Sequence, residues 1–311
     1  MKFAMIFPGQ GIQRIDILFE LSKSFPMIRN TFDEASNYIN YNLWEYISKN
    51  HKNNLTNNKY TPALILTSSV SLYYIWKKKN KKKPNMVAGH SLGEYSALVC
   101  SNSISFKDGL NIVVKRNKFM KEAAKNNPGS MMAIIGIKEN IIKKICNIFF
   151  KNELVAISSV NSETEIVVSG NKKKLYKIEK ICKLLGAKAV FHLSINIPSH
   201  CSLMKSASKK FSKFLNNFIF RKPDFPIINN VDIKYEKSDK KIKKALIRQL
   251  IEPINWKKSI NFILKNKIFL FLEVGTSRVL SNLNKNIKNS ISISLNDKKN
   301  FFLNNKKLIR K

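Results

Sequence analysis

Short apolar runs alternate with longer amphipathic stretches over the first 125 residues of the chain. The runs at 1–7 (MKFAMIF) and 85–91 (NMVAGHS) are each followed by a stretch with helical periodicity, which begins near Ile15 and near Glu94. Repetition of a strand followed by a helix is typical of a parallel sheet covered by helices. We therefore expect an α/β fold.

A different pattern begins at Asn126-Asn127-Pro128-Gly129. It predicts a β-α-β-β-α-β order with strands at 131–137, 154–160, 165–170 and 187–193 and helices at 138–150 and 171–185. This order is typical of a ferredoxin-like unit. After it, helices are predicted at 201–217 and 239–251 and strands near 226–230 and 268–274. We therefore expect a small ferredoxin-like domain, residues 128–197, inserted into a large α/β domain formed by residues 1–127 and 198–311.

The longest apolar stretch, Ala63 to Trp76, contains four Ser or Thr residues and is shorter than the ~20 residues of a membrane-spanning helix. It predicts a buried helix instead. The apolar run at the N-terminus is too short for a signal peptide. The four cysteines, at 100, 146, 182 and 201, have no CxxC spacing, which is typical of buried thiols in a reducing compartment. We expect a cytoplasmic protein with no membrane segment.

The chain is strongly basic, with 56 Lys and Arg residues against 20 Asp and Glu residues and a formal net charge of +36. Such a surplus is compatible with nucleic-acid binding. However, 49 of these cations are lysines and 7 are arginines, and they accompany 37 Asn and 39 Ile, which indicates drift toward A/T-rich codons. Arginine is the residue that recognises bases and phosphates best. We therefore expect no specific nucleic-acid partner, and a frayed, lysine-rich tail from Asp297.

A Gly-x-Ser-x-Gly pentapeptide, GHSLG at 89–93, lies between a predicted strand and a predicted helix. In this context the pentapeptide is a nucleophile elbow, in which the serine hydroxyl projects from a tight turn at the end of the strand. The N-terminus of the following helix favours a developing oxyanion. Ser91 is therefore the candidate nucleophile.

A serine nucleophile needs a base, and the chain has four histidines. His51 lies in an Asn- and Lys-rich loop, His192 lies in a predicted strand where packing is expected, and His90 is limited to orienting or lining the acyl site. His200 follows Pro198, where the chain re-enters the large domain and where a cleft is expected. His200 is therefore the candidate base, with a plain surface-loop histidine as the alternative.

Arg116 is the most informative polar residue. In the helix predicted from Ser105, it lies three residues after Val113 and four before Met120, on the apolar stripe. An inward guanidinium needs an anionic partner, and no residue three or four positions away is acidic. A ligand carboxylate, bound bidentately, is one such partner. A structural ion pair with a carboxylate distant in sequence is the alternative.

The segment FPGQG at 7–11 follows the first predicted strand, at the edge where parallel sheets bind ligands. It lacks the Lys-Ser/Thr of a phosphate-binding P-loop. Its backbone N–H groups either complete an oxyanion hole or belong to a plain strand-to-helix turn.

Together these segments resemble the malonyl-CoA:acyl carrier protein transacylases of bacterial fatty-acid synthesis. The motifs occur in the order of that family between about residues 3 and 295: FPGQG at 7–11, GHSLGEYSALV at 89–99, KRNKFMKEA at 115–123, PGSMMAIIG at 128–136, NSETEIVVSG at 161–170, PSHCSLM at 198–204, RQLIEPINWKKS at 248–259 and FLEVG at 271–275. The resemblance implies an α/β-hydrolase-like large domain with a ferredoxin-like insertion, in agreement with the pattern above.

The resemblance also implies a reaction. Ser91 would take the malonyl group from malonyl-CoA, with His200 acting first as base and then as acid. After coenzyme A leaves, the phosphopantetheine thiol of acyl carrier protein would take the malonyl group. The resemblance implies no cofactor, and we expect a monomer.

Four further residues are assigned to the substrate site by the same resemblance. Arg116 would bind the malonyl carboxylate, and the backbone amides of Gln10 and Leu92 would form the oxyanion hole. Gln249 would orient His200 through its backbone carbonyl, in the place of the aspartate of a Ser-His-Asp triad.

Two positions depart from the family pattern. Ile12 stands where a serine commonly follows FPGQG, and Thr276-Ser277 stand where Pro-Gly commonly follows Gly275. We expect these changes to affect loop geometry and stability more than the reaction.

Three other functions are compatible with the sequence. A serine esterase would hydrolyse its acyl-enzyme without a thiol acceptor, a polyketide acyltransferase would differ in extender unit and carrier, and a basic binding module would form no acyl-enzyme. The lysine surplus also suggests a hypothesis about the carrier. Because acyl carrier proteins are typically acidic, a basic rim would steer them toward Ser91 and make the second half-reaction depend on ionic strength.

Overall fold

Buried apolar runs form the strands of two sheets in the computed structural model, which describes residues 2–11, 14–50, 59–149, 155–285 and 287–302. The strands are β1 (Phe3–Phe7), β2 (Met86–Gly89), β3 (Ser130–Ile135), β4 (Val155–Val160), β5 (Glu165–Gly170), β6 (Ala189–His192), β7 (Ile227–Ile228), β8 (Leu270–Glu273) and β9 (Ile291–Ser294). The helices are α1 (Ile15–Ser24), α2 (Met27–Ile39), α3 (Leu43–Asn50), α4 (Thr61–Lys79), α5 (Gly93–Cys100), α6 (Phe106–Asn126), α7 (Glu139–Phe149), α8 (Lys172–Leu184), α9 (Lys205–Leu215), α10 (Asp239–Arg248), α11 (Trp256–Lys265) and α12 (Val279–Asn284). Short 3₁₀ helices cover Ser202–Met204 and Lys298–Phe302.

The larger sheet is parallel, with the strand order β7-β2-β1-β8-β9. Alternate residues of β1 enter different cores: Met5 packs among residues of α1, α2 and α4, whereas Ile6 packs with Trp256 of α11. Because both faces are covered, β1 and β2 are apolar throughout, and β8 is apolar up to its last residue, the buried Glu273. The predicted α/β fold is confirmed.

Helix α4 is buried along most of its length, as the apolar stretch from Ala63 to Trp76 predicts. Its Ser and Thr residues tolerate this burial because such hydroxyls donate to carbonyl oxygens of the preceding turn, as those of Thr67, Ser68 and Ser71 do; Thr67 donates to the Ala63 carbonyl at 2.8 Å. Among the helices of the described ranges, none is long and apolar enough to cross a membrane.

The smaller sheet is antiparallel, with the order β4-β5-β3-β6. Helices α7 and α8 pack against one face and form a separate core, which includes Ile142, Val168 and Ile178. This is the ferredoxin-like arrangement predicted from the β-α-β-β-α-β order. The opposite face carries Ala133 and Val167, which line a cavity shared with the parallel sheet.

Backbone hydrogen bonds join the small sheet to the C-terminal half of the chain. The Val160 N–H donates to the Ile254 carbonyl at 2.9 Å, and the Ile254 N–H donates to the Ser158 carbonyl at 2.9 Å. These bonds hold the small sheet beside the carboxyl ends of the parallel strands, where ligands of α/β folds bind.

The expectation of a frayed tail from Asp297 is wrong for its first residues. Lys298–Phe302 form a 3₁₀ helix, in which Phe301 is buried and its ring lies 5.2 Å from that of Phe25. Burial of this aromatic ring offsets the cost of ordering the lysine-rich segment. Residues 303–311 lie outside the described ranges.

Candidate active site

The turn that carries Ser91 depends on close contacts at two glycines. Ser91 itself has φ of 51°, in the left-handed region. A Cβ at Gly89 would collide with the backbone of Glu94, and a Cβ at Gly93 would collide with the Phe7 carbonyl oxygen. Glycine is therefore required at both positions. The structure has the strand, tight turn and helix of a nucleophile elbow, between β2 and α5.

We expect Gly93→Ala to destabilise the protein, because the added methyl group would force the elbow away from β1. Overpacking of this kind costs about 1–3 kcal/mol. Thermal unfolding followed by circular dichroism should show a lower Tm. Gly11→Ala is the matched control for stability, since a Cβ there meets no atom within 4 Å. Equal Tm values for the two variants would contradict the prediction.

Two hydrogen bonds place His200 between Ser91 and a backbone carbonyl. Its Nε2 lies 2.8 Å from Ser91 Oγ, and its Nδ1 lies 2.6 Å from the carbonyl oxygen of Gln249. A carbonyl only accepts, so Nδ1 carries the proton and Nε2 of the neutral ring is an acceptor. Gln249 is the C-cap residue that follows α10, and this helix ends at Arg248 rather than at residue 251, where the sequence pattern predicts its end. The structure thus brings the candidate nucleophile, the candidate base and Gln249 together.

The imidazole of His200 is held in its neutral form. Burial, together with the positive charge of Arg116, lowers the pKa of His200 to about 3, although the hydrogen bond to the Gln249 carbonyl acts in the opposite direction. A base must be unprotonated to accept a proton, so this environment keeps His200 ready at physiological pH.

We expect His200 to take up no proton between about pH 7 and pH 5, because protonation begins only as the pH approaches its lowered pKa, well below the ordinary value of about 6.5. Nitrogen NMR of histidine-labelled protein measures this directly. The His200 signal is identified by its absence from a His200→Ala variant. A titration midpoint near pH 6.5 for that signal would refute the prediction.

Arg116 is buried and faces the candidate nucleophile. Its helix, α6, begins after Ser105, whose side chain caps the helix by accepting a hydrogen bond from the Asp108 N–H at 3.0 Å. The Arg116 Nη2 lies 3.4 Å from Ser91 Oγ and 3.2 Å from Gln249 Oε1. Within the described ranges no carboxylate forms an ion pair with it, and its Nε has no hydrogen-bond partner. The alternative of a structural ion pair is therefore not what the described residues show, and an anion in the cavity would satisfy the guanidinium.

A cavity of about 530 Å³ lies between the ends of β1 and β2 and the small sheet. Gln10, Leu92 and Ser91 line it together with His200 and Arg116. No described residue accepts a hydrogen bond from the backbone N–H of Gln10 or Leu92. Leu92 also stands at the N-terminus of α5, where unpaired N–H groups favour negative charge. These two groups are suitably placed on the cavity wall to bind an oxyanion.

One of the two departures from the family motifs, Thr276-Ser277, follows Gly275, which packs closely against Pro8 of the FPGQG segment. Thr276 and Ser277 are buried, and the Ser277 carbonyl accepts a hydrogen bond from Ser294 Oγ at 2.8 Å. This bond ties their loop to β9 at the edge of the parallel sheet. Ile12 lies outside the described residues.

The other histidines have different surroundings. The His90 Nε2 lies 3.0 Å from Asn161 Oδ1, which links the elbow to the small sheet, and His90 lines the cavity. His192 lies on β6, 2.7 Å from Glu179. His51 lies outside the described residues. In the part of the chain that the structure describes, no group of three or more His, Cys, Asp and Glu side chains is placed to hold a metal ion.

Sequence reasoning missed Asn230 and Glu94 at this site, as well as the contacts of the Gln249 side chain. The Asn230 Oδ1 accepts a hydrogen bond from the Ser91 N–H at 2.7 Å, and its Nδ2 donates to the Gly89 carbonyl at 2.6 Å. Glu94 accepts from the side chain of Gln249 at 2.8 Å. The signal for Glu94 was available, because it is the one acidic residue of an otherwise neutral, buried helix. Asn230 stands far from the motif, and nothing in its local sequence indicates its contacts.

The chain matches one known family over most of its length. Residues 4–290 match the acyl transferase domain. The chain belongs to the acyl transferase family. It is 44% identical to the malonyl CoA-acyl carrier protein transacylase of Buchnera aphidicola subsp. Schizaphis graminum, over 97% of both chains. The family predicted from the motifs is thus confirmed.

Solved acyl transferase structures resemble this one closely. The malonyl CoA-acyl carrier protein transacylase from Coxiella burnetii is 32% identical with a TM-score of 0.93, covering 97% of this chain and 96% of that one. A malonyl-transacylase in complex with a type II polyketide acyl carrier protein is 38% identical with a TM-score of 0.92, covering 97% of this chain and 98% of that one. Similarity over whole chains shows that this acyl transferase shares both parts of the fold, as predicted.

Proposed function

We propose that this acyl transferase moves a malonyl group from malonyl-CoA to the phosphopantetheine thiol of acyl carrier protein, in fatty-acid synthesis. The observation that carries the proposal is the buried guanidinium of Arg116 beside Ser91 Oγ, without an acidic partner among the described residues. A malonyl thioester has a free carboxylate close to its reacting carbonyl. The carboxylate would pair with Arg116 while the carbonyl carbon lies at Ser91.

The first half-reaction acylates Ser91. His200 Nε2 takes the hydroxyl proton as Ser91 Oγ attacks the thioester carbonyl, and the N–H groups of Gln10 and Leu92 stabilise the oxyanion. The Gln249 carbonyl stabilises the imidazolium through the Nδ1 proton. When the carbon–sulfur bond breaks, the thiolate of coenzyme A takes the proton from Nε2.

The second half-reaction runs through the same groups in reverse. The carrier's thiol gives its proton to His200 Nε2, and the sulfur attacks the malonyl ester carbonyl. The carbon–oxygen bond to Ser91 breaks, and Ser91 Oγ recovers the proton. The proton that Ser91 gives up to coenzyme A in the first step is replaced by the proton of the carrier thiol in the second, so the two steps balance without a cofactor.

Mass spectrometry of the intact protein tests the proposal. After incubation with malonyl-CoA we expect one added malonyl group, which added phosphopantetheinylated acyl carrier protein removes faster than water does. Absence of the label would overturn the proposal. Loss of the label at the same rate with and without carrier would indicate an esterase instead.

We also propose the division into a small domain of residues 128–197 and a large domain of residues 1–127 and 198–311, and a monomer in the cytoplasm. The separate core of the small sheet supports the division, and the four buried, free thiols support a reducing compartment. Light scattering during gel filtration tests the oligomeric state, and a mass of two chains would refute the monomer.

A further inference from the structure

Glu94 is a buried carboxylate close to the reacting groups. It lies three residues after Ser91 in the first turn of α5, and only 4% of its surface is exposed. Its Oε2 accepts hydrogen bonds from Gln249 Nε2 at 2.8 Å and from the Asn230 N–H at 3.3 Å. None of the groups in the proposed mechanism requires a carboxylate at this place, so its burial needs an explanation.

The side chain of Gln249 connects Glu94 to the substrate site. Its Nε2 also donates to the Ser91 carbonyl at 3.1 Å, while its Oε1 accepts from Arg116 Nη2 at 3.2 Å. A primary amide has a donor end and an acceptor end, and rotation by half a turn exchanges them. The reversed amide would direct its N–H₂ group at the Arg116 guanidinium, donor against donor. An acidic side chain at the donor end prevents this, because an ionised carboxylate only accepts.

The same arrangement supplies a negative charge without occupying the guanidinium. Arg116 contacts the side-chain oxygen of Gln249 rather than a carboxylate. The carboxylate of Glu94 lies on the other side of the Gln249 side chain. A carboxylate in direct contact would compete with a substrate carboxylate for the guanidinium. Burial raises the pKa of Glu94 to about 7, against the opposing effects of the hydrogen bonds from Gln249 and Asn230 and of the charge on Arg116. The negative charge of Asp232 also raises the pKa of Glu94. Assays at pH 8 therefore favour the ionised form.

We propose that Glu94 is a positioning residue that fixes the orientation of the Gln249 side-chain amide and thereby aims the Arg116 guanidinium at the acyl group on Ser91. Glu94 touches no substrate in this role. The inference rests on the proposed function, because it uses the malonyl carboxylate as the ligand of Arg116. It adds a determinant of donor selectivity that acts through a neighbouring side chain.

The ratio of acylation rates with malonyl-CoA and acetyl-CoA at pH 8 tests the inference. A loss of folded protein lowers both rates equally, whereas a misdirected Arg116 lowers the malonyl rate alone. We expect Glu94→Ala to reduce the ratio by at least about tenfold, the effect of losing one hydrogen bond to a charged group. Glu94→Gln should give an intermediate ratio, since its amide can still accept but does not enforce one orientation.

Ser96→Ala is the matched control, because Ser96 is buried on the same helix and its hydroxyl has no hydrogen-bond partner among the described residues. It should keep the ratio of the unmodified protein. If Glu94→Ala does not fold, Glu94→Gln decides the question. A ratio within about twofold of the unmodified protein in folded Glu94→Gln would overturn the inference.

A double-mutant cycle tests whether the effect passes through Gln249. Gln249→Leu removes the side-chain amide and keeps the backbone carbonyl that orients His200. In that background Glu94→Gln should change the ratio no further, and a further change would overturn the inference. If the unmodified protein accepts no malonyl label, the proposed function fails. If it accepts the label and the Glu94 variants keep its ratio, this inference alone fails.

Discussion

Ser91→Ala should form no acyl-enzyme and should lose transfer by a factor on the order of 10⁶, as removal of a serine nucleophile does in other Ser-His sites. Ser91 Oγ is the hydroxyl that lies 2.8 Å from the base, so it is the group that His200 can activate to carry the acyl group between the two thiols. Cys201, the residue after His200, does not replace Ser91 as the nucleophile. Its thiol donates to the Pro198 carbonyl and lies 3.7 Å from Ser169 Oγ.

Intact-mass measurement after malonyl-CoA, followed by transfer assays with acyl carrier protein, would show the loss. Ser96→Ala serves again as the control, since it changes a buried serine of the following helix and leaves the elbow intact. Persistence of a covalent label on Ser91→Ala would place the nucleophile elsewhere and refute the proposed mechanism.

Arg116→Ala should abolish the preference for malonyl-CoA over acetyl-CoA. The lost interaction is a buried ion pair, and breaking one costs about 3–5 kcal/mol, which corresponds to a fall of roughly 10² to 10⁴ in kcat/KM for the malonyl donor. The acetyl group has no carboxylate, so its rate should not fall and its relative use should rise. When acetyl-CoA binds to the unmodified protein, the Arg116 guanidinium has no carboxylate to pair with. Arg116 therefore favours the malonyl donor over the acetyl donor.

Acylation rates with the two donors, measured side by side, test this expectation. Lys118→Ala is a suitable control because it removes a cation from the exposed side of the same helix. Arg116→Lys should give an intermediate preference, since lysine keeps the charge but lacks the planar fork. An equal loss with both donors would mean that Arg116 supports the site without recognising the carboxylate.

Local patterns were sufficient to predict Ser91 and Arg116, two of the groups that meet in the site. The pentapeptide at 89–93 fixes its own turn through two glycines, and Arg116 is placed by the periodicity of one helix. The orientation of His200 could not be predicted from a local pattern, because its partner is a carbonyl 49 positions away in the chain. Only the resemblance to a known family connected it to Gln249.

The hydrogen bonds around Gln249 could not be predicted in this way. Asn230 meets the Ser91 N–H across 139 positions, and Glu94 meets Gln249 across 155. Such contacts depend on how the parallel strands are ordered, and no periodicity within one element encodes that order. Strand β9 was also missed, because it is a four-residue edge strand with partly exposed residues and a weak apolar signal.

The orientation of His200 by a main-chain carbonyl gives the site a form of mutational robustness. Every amino acid supplies that oxygen, so replacements at position 249 that preserve the end of α10 leave the acceptor of the Nδ1 proton in place. The backbone N–H groups of Gln10 and Leu92 are likewise supplied by every amino acid except proline. A chain this rich in lysine, asparagine and isoleucine can therefore vary many of its side chains while these main-chain groups keep their hydrogen-bonding capacity, whereas the side chains of Ser91, His200 and Arg116 remain vulnerable to point substitution.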